Sequence, residues 1–306
     1  MKPSRLSFFN EQEPSELTGL VARDDVRREL RELNAVVTIG LRDLSDARAN
    51  AVKTLRDDGV KVSAWLLLPR EHGYFATHDN GAEVTARVDE FLRWRERHSL
   101  RFERLGFDFE PDIRELDTLF KSPASALRHW AGRSRNRSRR EAAVKHYGEL
   151  ISRLSREGVN VESYQFPLLL EDRLAGSHFF QRFSSSLDVP VQSEVVMAYS
   201  SLLGPLGAGL LKSWSPDARA IAVGSTGGGI DPLPKLTWNE FERDLRVAAQ
   251  AVREVAVFSL EGTVERDWLP RLRDFDWSAP VTLGRTQRWG AASLRTSARW
   301  LARLLR

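Results

Sequence analysis

The segment Leu105-Gly-Phe-Asp-Phe-Glu-Pro-Asp112 carries two carboxylates, Asp108 and Glu110, at the end of a short apolar run. In an extended strand, alternation puts Gly106, Asp108 and Glu110 on one face and Phe107 and Phe109 on the other. Two carboxylates buried side by side repel each other and lose water, so at least one pKa must rise. A raised pKa makes a general acid at neutral pH, while an ionised partner stabilises positive charge. Cleavage of a glycosidic bond needs that division of labour. The competing reading is a salt-bridged pair held by one of the chain's 39 arginines.

Other residues can serve the same site. In Val195-Val-Met-Ala-Tyr199, the residues Val195, Met197 and Tyr199 share a face, and Tyr199 reaches furthest along the run. In Val255-Ala-Val-Phe-Ser-Leu-Glu-Gly262, parity puts Val257, Ser259 and Glu261 inward. Glu261 is then a second catalytic carboxylate, a ligand for a substrate hydroxyl, or a strut to an arginine. Trp65 and Tyr74 are candidate platforms for the apolar faces of sugar rings, with core packing as the alternative. Asp112, just past the carboxylate pair, joins Tyr199, Trp65, Tyr74, Met197 and Ser259 as a substrate-binding candidate.

These residues need a scaffold that gathers strand ends. Short apolar runs alternate with amphipathic stretches: Leu6–Phe9, Val36–Leu41, Val62–Leu68, Leu105–Phe109, Val161–Leu169, Glu194–Tyr199, Ala220–Val223 and Val255–Leu260. Helices are expected around 16–33, 46–58, 83–98, 140–157, 178–187, 206–213, 238–254 and 265–274. Eight strand–helix units are the number that closes an α/β (β/α)8 TIM barrel, so a single domain over 1–306 is predicted, with its active site at the C-terminal strand ends. A doubly wound sheet is the structural runner-up, but no GxGxxG follows the first strand. Two segments fall outside the repeat. Residues 122–139 form a basic excursion after strand 4. Residues 286–306 form an added amphipathic helix whose Leu294, Leu301 and Leu305 face is expected to pack on the barrel, opposite Arg295, Arg299 and Arg303.

Gly-Phe-Asp108-Phe-Glu110-Pro on the fourth strand, together with Met197-Ala-Tyr199 on the sixth, resembles the family 18 glycoside hydrolases, a family of chitinases, endo-N-acetylglucosaminidases and non-catalytic relatives. The resemblance implies a (β/α)8 fold with Glu110 as general acid/base. It implies that Asp108 orients a 2-acetamido group acting as internal nucleophile, and that Tyr199 hydrogen-bonds that group. Two positions depart from the family pattern: Gly106 stands where the DxDxE core has its first aspartate, and Ser200 follows the strand 6 tyrosine where aspartate is frequent.

Composition narrows the classes. With no cysteine, disulfides, thiolate zinc sites, Fe–S clusters and a cysteine nucleophile are excluded. Of the net charge of +4, residues 113–145 and 285–306 each carry +6, leaving an acidic body. The arginine bias is read as compositional, so no nucleic-acid partner is expected. No apolar run is long enough to span a membrane, and residues 1–14 lack the apolar core of a signal peptide; cytoplasmic residence is the expectation. No cofactor is implied, and the oligomeric state is open. Two other functions compete: a barrel that binds carbohydrate without cutting it, and a phosphosugar or phosphodiester enzyme using the loop Gly224-Ser-Thr-Gly-Gly-Gly229. A metal site from His72, His78 and Asp79 with Asp108, Glu110 or Asp112 is a weaker third.

Overall fold

The computed structural model describes residues 2–115, 137–184, 186–227 and 234–306. Eight parallel strands close on themselves in sequence order: β1 (Arg5–Asn10), β2 (Val36–Leu41), β3 (Lys61–Leu66), β4 (Leu105–Phe109), β5 (Val161–Gln165), β6 (Ser193–Met197), β7 (Ala220–Gly224) and β8 (Glu254–Phe258). The closing ladder pairs Arg5 with Glu254 and Phe9 with Phe258. The architecture is thus the (β/α)8 barrel, with an added C-terminal helix.

Each strand sorts its side chains by size and polarity. Val37, Ile39, Val62, Phe107, Phe109, Val196, Ile221 and Val257 face the helices in one continuous apolar layer. The inward set is different: Phe9, Trp65, Tyr164, Val195, Met197, Ala220, Ala222, Ala256 and Phe258 fill the cylinder. The large aromatics come from β1, β3, β5 and β8, and the alanines from β7 and β8, so large and small residues interleave within the cylinder. This corrects the parity expected for β8. Ala256 and Phe258 point inward, where Phe258 packs against Phe9 of the neighbouring β1 at 6.2 Å between ring centroids, and Val255 and Val257 join the helix-facing layer.

The N-terminal end of the cylinder is plugged by charge. The Arg104 guanidinium donates to Glu162 Oε1 at 2.6 Å and to Glu254 Oε2 at 2.6 Å, and also to Ser193 Oγ at 2.7 Å. Arg5 Nη2 donates to Ser63 Oγ at 3.1 Å beside it. Side chains of β1, β3, β5, β6 and β8 are therefore tied together below the aromatic layer, with Arg104 entering from just before β4.

Several expected elements change. The fifth strand stops at Gln165; Pro167 ends it, and the apolar run continues as a helix over Leu168–Ala175. The stretch 16–33 divides at Arg23 into helices Pro14–Ala22 and Asp24–Glu32. The eighth strand ends at Phe258, and the helix expected over 265–274 becomes two, Leu260–Glu265 and Leu269–Arg273. Most of the basic excursion 122–139 lies outside the described residues; Arg137–Arg139 open the helix Arg137–Arg156.

The C-terminal helix Arg285–Leu304 exists, but with its faces exchanged. Ala291, Arg295 and Ala302 are its buried residues, while Leu294, Leu301 and Leu305 are exposed. Arg295 goes inward to form an ion pair with the fully buried Glu171. Arg299 Nη2 reaches the same carboxylate at 3.2 Å, and Trp214 Nε1 donates to it at 2.9 Å. An unpaired carboxylate in that position would be more costly than leaving leucines in water, which is why the arginine face docks.

Replacing Arg104 by Met leaves Glu162 and Glu254 facing each other without their shared cation. The unfolding free energy is expected to fall by about 3 kcal/mol, read by urea denaturation against the wild type.

Candidate active site

Asp108 is the last inward residue of β4, and Glu110 follows the strand's end. Asp108 is buried, and Glu110 is half-buried. Their environment is apolar on most sides, with Phe9, Trp65, Met197 and Phe258 around the same cavity. Burial first, and then the charges of Glu110 and Glu11, push the Asp108 carboxyl well above the usual carboxylate range. Burial and the charge of Glu11 push Glu110 up as well, against a hydrogen bond received from Asp108. Both carboxyls are therefore held toward their protonated forms at neutral pH, and Asp108 Oδ1 is left without a partner among the described residues.

Glu11 borders this pair, and Glu261 lies next to Glu11. Glu11 lies one residue past β1 and accepts a hydrogen bond from the Tyr74 hydroxyl. Burial raises its pKa, opposed by that bond and by the Arg42 and Arg70 charges. Glu261 arrives from the first turn of the helix after β8, not from the strand itself. It accepts a hydrogen bond from Asn10 Nδ2 at 2.9 Å, and burial pushes its pKa up to about 7. Tyr199 stands across the mouth with its ring 5.9 Å from Phe258. Burial and the charges of Asp108, Glu110 and Glu11 hold its phenol protonated, so it is a neutral hydrogen-bond donor.

Trp65 and Tyr74 line the same cavity as the acids. Trp65 is also a packing residue, edge-on to Phe9 at 5.4 Å and to Tyr164 at 6.3 Å. The enclosed volume is about 70 Å³, far below the roughly 300–1,000 Å³ of a pocket that swallows a whole small molecule. A cavity of this size has room for a single substituent-sized group.

Other expected site residues are placed elsewhere. Asp112 turns into a neighbouring polar cavity with His72, Asp79 and Arg139, where it pairs with Arg114 at 2.5 Å. Ser259 is fully buried; its hydroxyl donates to the Gly227 carbonyl at 2.5 Å and accepts from Gly262 N at 3.4 Å, so it caps a helix. The segment Glu171-Asp-Arg173, which follows the fifth apolar run, packs internally: Asp172 accepts from the backbone N–H groups of Phe180 and Gln181 at 3.1 and 2.9 Å, and Arg173 pairs with Asp188 and Glu194, each at 2.7 Å. Of the glycine loop, Thr226 and Gly227 pack against Ser259 and Gly262, and residues 228 and 229 lie outside the described residues. Among the described residues no three potential ligands converge as a metal site.

Glu11 and Arg70 line the acid-bearing cavity and escaped the sequence reading. Glu11 had a signal: a carboxylate just past the first strand, the same station that Glu110 holds after the fourth. Arg70 had none, since it sits in a loop whose path the sequence leaves open.

Gly106 explains its own departure from the resembled motif. A Cβ built there would lie 2.2 Å from the Tyr164 hydroxyl and 2.5 Å from its ring carbons. Tyr164 occupies the interior beside β4 and donates to Glu162 Oε2 at 3.1 Å. The space for a side chain at 106 is filled from the neighbouring strand.

Comparison with solved structures places this fold among TIM barrels. A family 18 chitinase from Pseudoalteromonas aurantia matches 88% of this chain and 98% of its own at 11% identity, with a TM-score of 0.52. The PgaB glycoside hydrolase domain from Bordetella bronchiseptica matches 90% of this chain and 99% of its own, also at 11% identity, with a TM-score of 0.54. A D-allulose 3-epimerase from Methylomonas sp. overlaps less well, with a TM-score of 0.47 at 13% identity over 97% of this chain and 99% of its own. No protein-family model matches the chain, and no curated protein matches it in sequence. At such identities the likeness is one of fold.

Two measurements probe this geometry. Gly106→Ala should destabilise by about 1–3 kcal/mol through overpacking, and the same change made on a Tyr164→Leu background should cost much less; thermal melting of the four proteins reads the difference. Carboxyls with raised pKa values bind protons in the folded state that the unfolded chain has released. Their stabilising contribution is complete below about pH 4 and is lost as pH climbs through the folded values. Between pH 5 and pH 9 the wild type should lose stability, and Asp108→Asn/Glu110→Gln should show a flatter profile.

Proposed function

We propose that the protein is a glycoside hydrolase with Glu110 as its general acid/base. The observation that carries this reading is the pair of carboxylates, Asp108 and Glu110, set together at the barrel's C-terminal rim in an aromatic-walled cavity. Fold alone does not define chemistry, so the likeness to two glycoside hydrolases supports the class only in company with that pair.

In this mechanism Glu110 delivers its proton to the glycosidic oxygen as the bond to the anomeric carbon breaks. The departing oxygen keeps the bonding electrons and leaves as an alcohol. Positive charge develops on the ring, and Asp108 and Glu11 stabilise it electrostatically. Water then adds to the anomeric carbon and returns its proton to Glu110. A 2-acetamido group on the substrate would act as the internal nucleophile between these steps, oriented by Asp108 and Tyr199, as the resemblance to family 18 implies. The small enclosed volume favours a chain or conjugate that presents one substituent to the acids.

Glu261 titrates near neutrality beside Asn10, which suits a ligand for a sugar hydroxyl better than a second acid, because its carboxylate is already engaged by a donor. Tyr199 binds the same ring, and Trp65 supplies the floor beneath it.

A screen of glycans and chromogenic glycosides, run with the wild type beside Glu110→Gln, tests the reading. The expected outcome is cleavage by the wild type and a loss of about 10²–10⁴-fold in the variant, the range a positioned general acid contributes. Equal glycan binding by both proteins with no cleavage by either would overturn the hydrolase and leave a sugar-binding barrel. Activity should fall on the alkaline side as Glu110, pushed up to about 8, loses its proton, and that limb should vanish in Glu110→Gln.

A further inference from the structure

The exposed face of the C-terminal helix is the largest unexplained apolar feature of the surface. Eight large apolar side chains are exposed among the described residues, and six of them lie between Trp289 and Leu305. Trp289 is 73% exposed, Trp300 64% and Leu304 63%. Helical spacing sets Trp289, Ser293, Trp300 and Leu304 on one line, with Leu294 and Leu301 beside it. The helix is 20 residues long, or about 30 Å, and its opposite side is fixed to the barrel through Arg295 and Glu171.

The charge around this face has one sign. From Trp277 to Arg306 there is no Asp or Glu, and the helix region carries Arg285, Arg288, Arg295, Arg299, Arg303 and Arg306. Arg285 and Arg303 border the tryptophan line, and they and Arg288 are exposed, with no ion pair among the described residues. The positive surface continues past the helix's C-terminal end, where Arg137, Arg140, Arg182 and Arg306 surround a cavity of about 250 Å³ that contains one acid, Glu141. Arg182 is buried there, and its Nε has no hydrogen-bond partner.

We propose that this helix lies in the headgroup region of an anionic phospholipid surface and holds the barrel there. Tryptophan and leucine on a convex face, flanked by arginines whose stems can lie along the apolar boundary, match the chemistry of an interfacial helix. The arginines gain from an anionic surface and the indoles from the boundary between tails and headgroups. A second copy of the chain fits less well: pairing this face with itself sets the exposed Arg285, Arg288 and Arg303 against their own copies with no acid on the helix to offset them. A bilayer also requires no shape complementarity.

Sedimentation of the intact protein with vesicles tests this. Binding is expected to vesicles of phosphatidylcholine mixed with phosphatidylglycerol, at least about tenfold weaker binding to phosphatidylcholine alone, and release as salt rises. Trp289→Ser/Trp300→Ser should lose about tenfold or more in binding while keeping the wild-type melting temperature, because both rings are in water. Arg285→Gln/Arg288→Gln/Arg303→Gln should lose the preference for phosphatidylglycerol. Absence of binding to the mixed vesicles at low salt, or equal binding by the tryptophan variant, would overturn the proposal. So would a concentration-dependent dimer that the tryptophan variant abolishes, which would make the face a contact between copies. None of these readouts depends on the glycosidase reading.

Discussion

The hydrogen-bonded ladder between β1 and β8 turns eight strands into a cylinder without edges, and this closure fixes where every strand must end. A closed parallel barrel delivers all its C-terminal ends to one rim. Glu11 after β1, Asp108 and Glu110 from β4, Tyr199 after β6 and Glu261 after β8 come from distant parts of the chain and meet there for no other reason. The charged plug around Arg104 and the aromatic layer above it fill the rest of the cylinder. The rim acids therefore rest on a dry, packed floor, and that dryness raises their pKa values.

The acids and their floor stand in tension. Packing Phe9, Trp65, Met197 and Phe258 beneath carboxylates makes ionisation costly, and the cluster is met by raised pKa values and by hydrogen bonds from Tyr74 and Asn10 rather than by a cation for every acid. Arg42 and Arg70 act on Glu11. Such a cluster is poorly compensated, and it is held in place by stability generated elsewhere in the barrel.

Much of this was legible in the sequence. The eight-fold rhythm gave the barrel, and β2 and β4 carry the expected boundaries because their apolar runs end sharply in polar residues. The β4 parity held because Phe107 and Phe109 are too large to share the cylinder with Trp65 and Tyr164. The β8 parity did not. Both of its alternating sets, valines and Ala256–Phe258, are apolar, and only the size of the residues across the axis chooses between them. The C-terminal helix misled for a related reason: its leucines formed a plausible packing face, but the choice was made by Glu171, a buried carboxylate over a hundred residues away that required an arginine. Ser259 looked like a rim hydroxyl until the strand proved to stop at Phe258. Glu11 stands one residue past β1 as Glu110 stands past β4, but without a second inward carboxylate beside it the position drew no notice. Local periodicity reveals elements and faces; which face a distant partner selects does not show in it.

The contact between Gly106 and Tyr164 also constrains the history open to this chain. A carboxylate at position 106, the first of the motif it resembles, cannot be gained by one substitution, since any side chain there meets the Tyr164 ring. Shrinking Tyr164 first would open a void in the aromatic floor and strip Glu162 of its phenolic donor. Either order passes through a weakened intermediate, so the two positions are locked as a pair. Lineages that keep the tyrosine are committed to a two-carboxylate fourth strand, and diversification of the site is channelled to the loops that follow β1, β3 and β8.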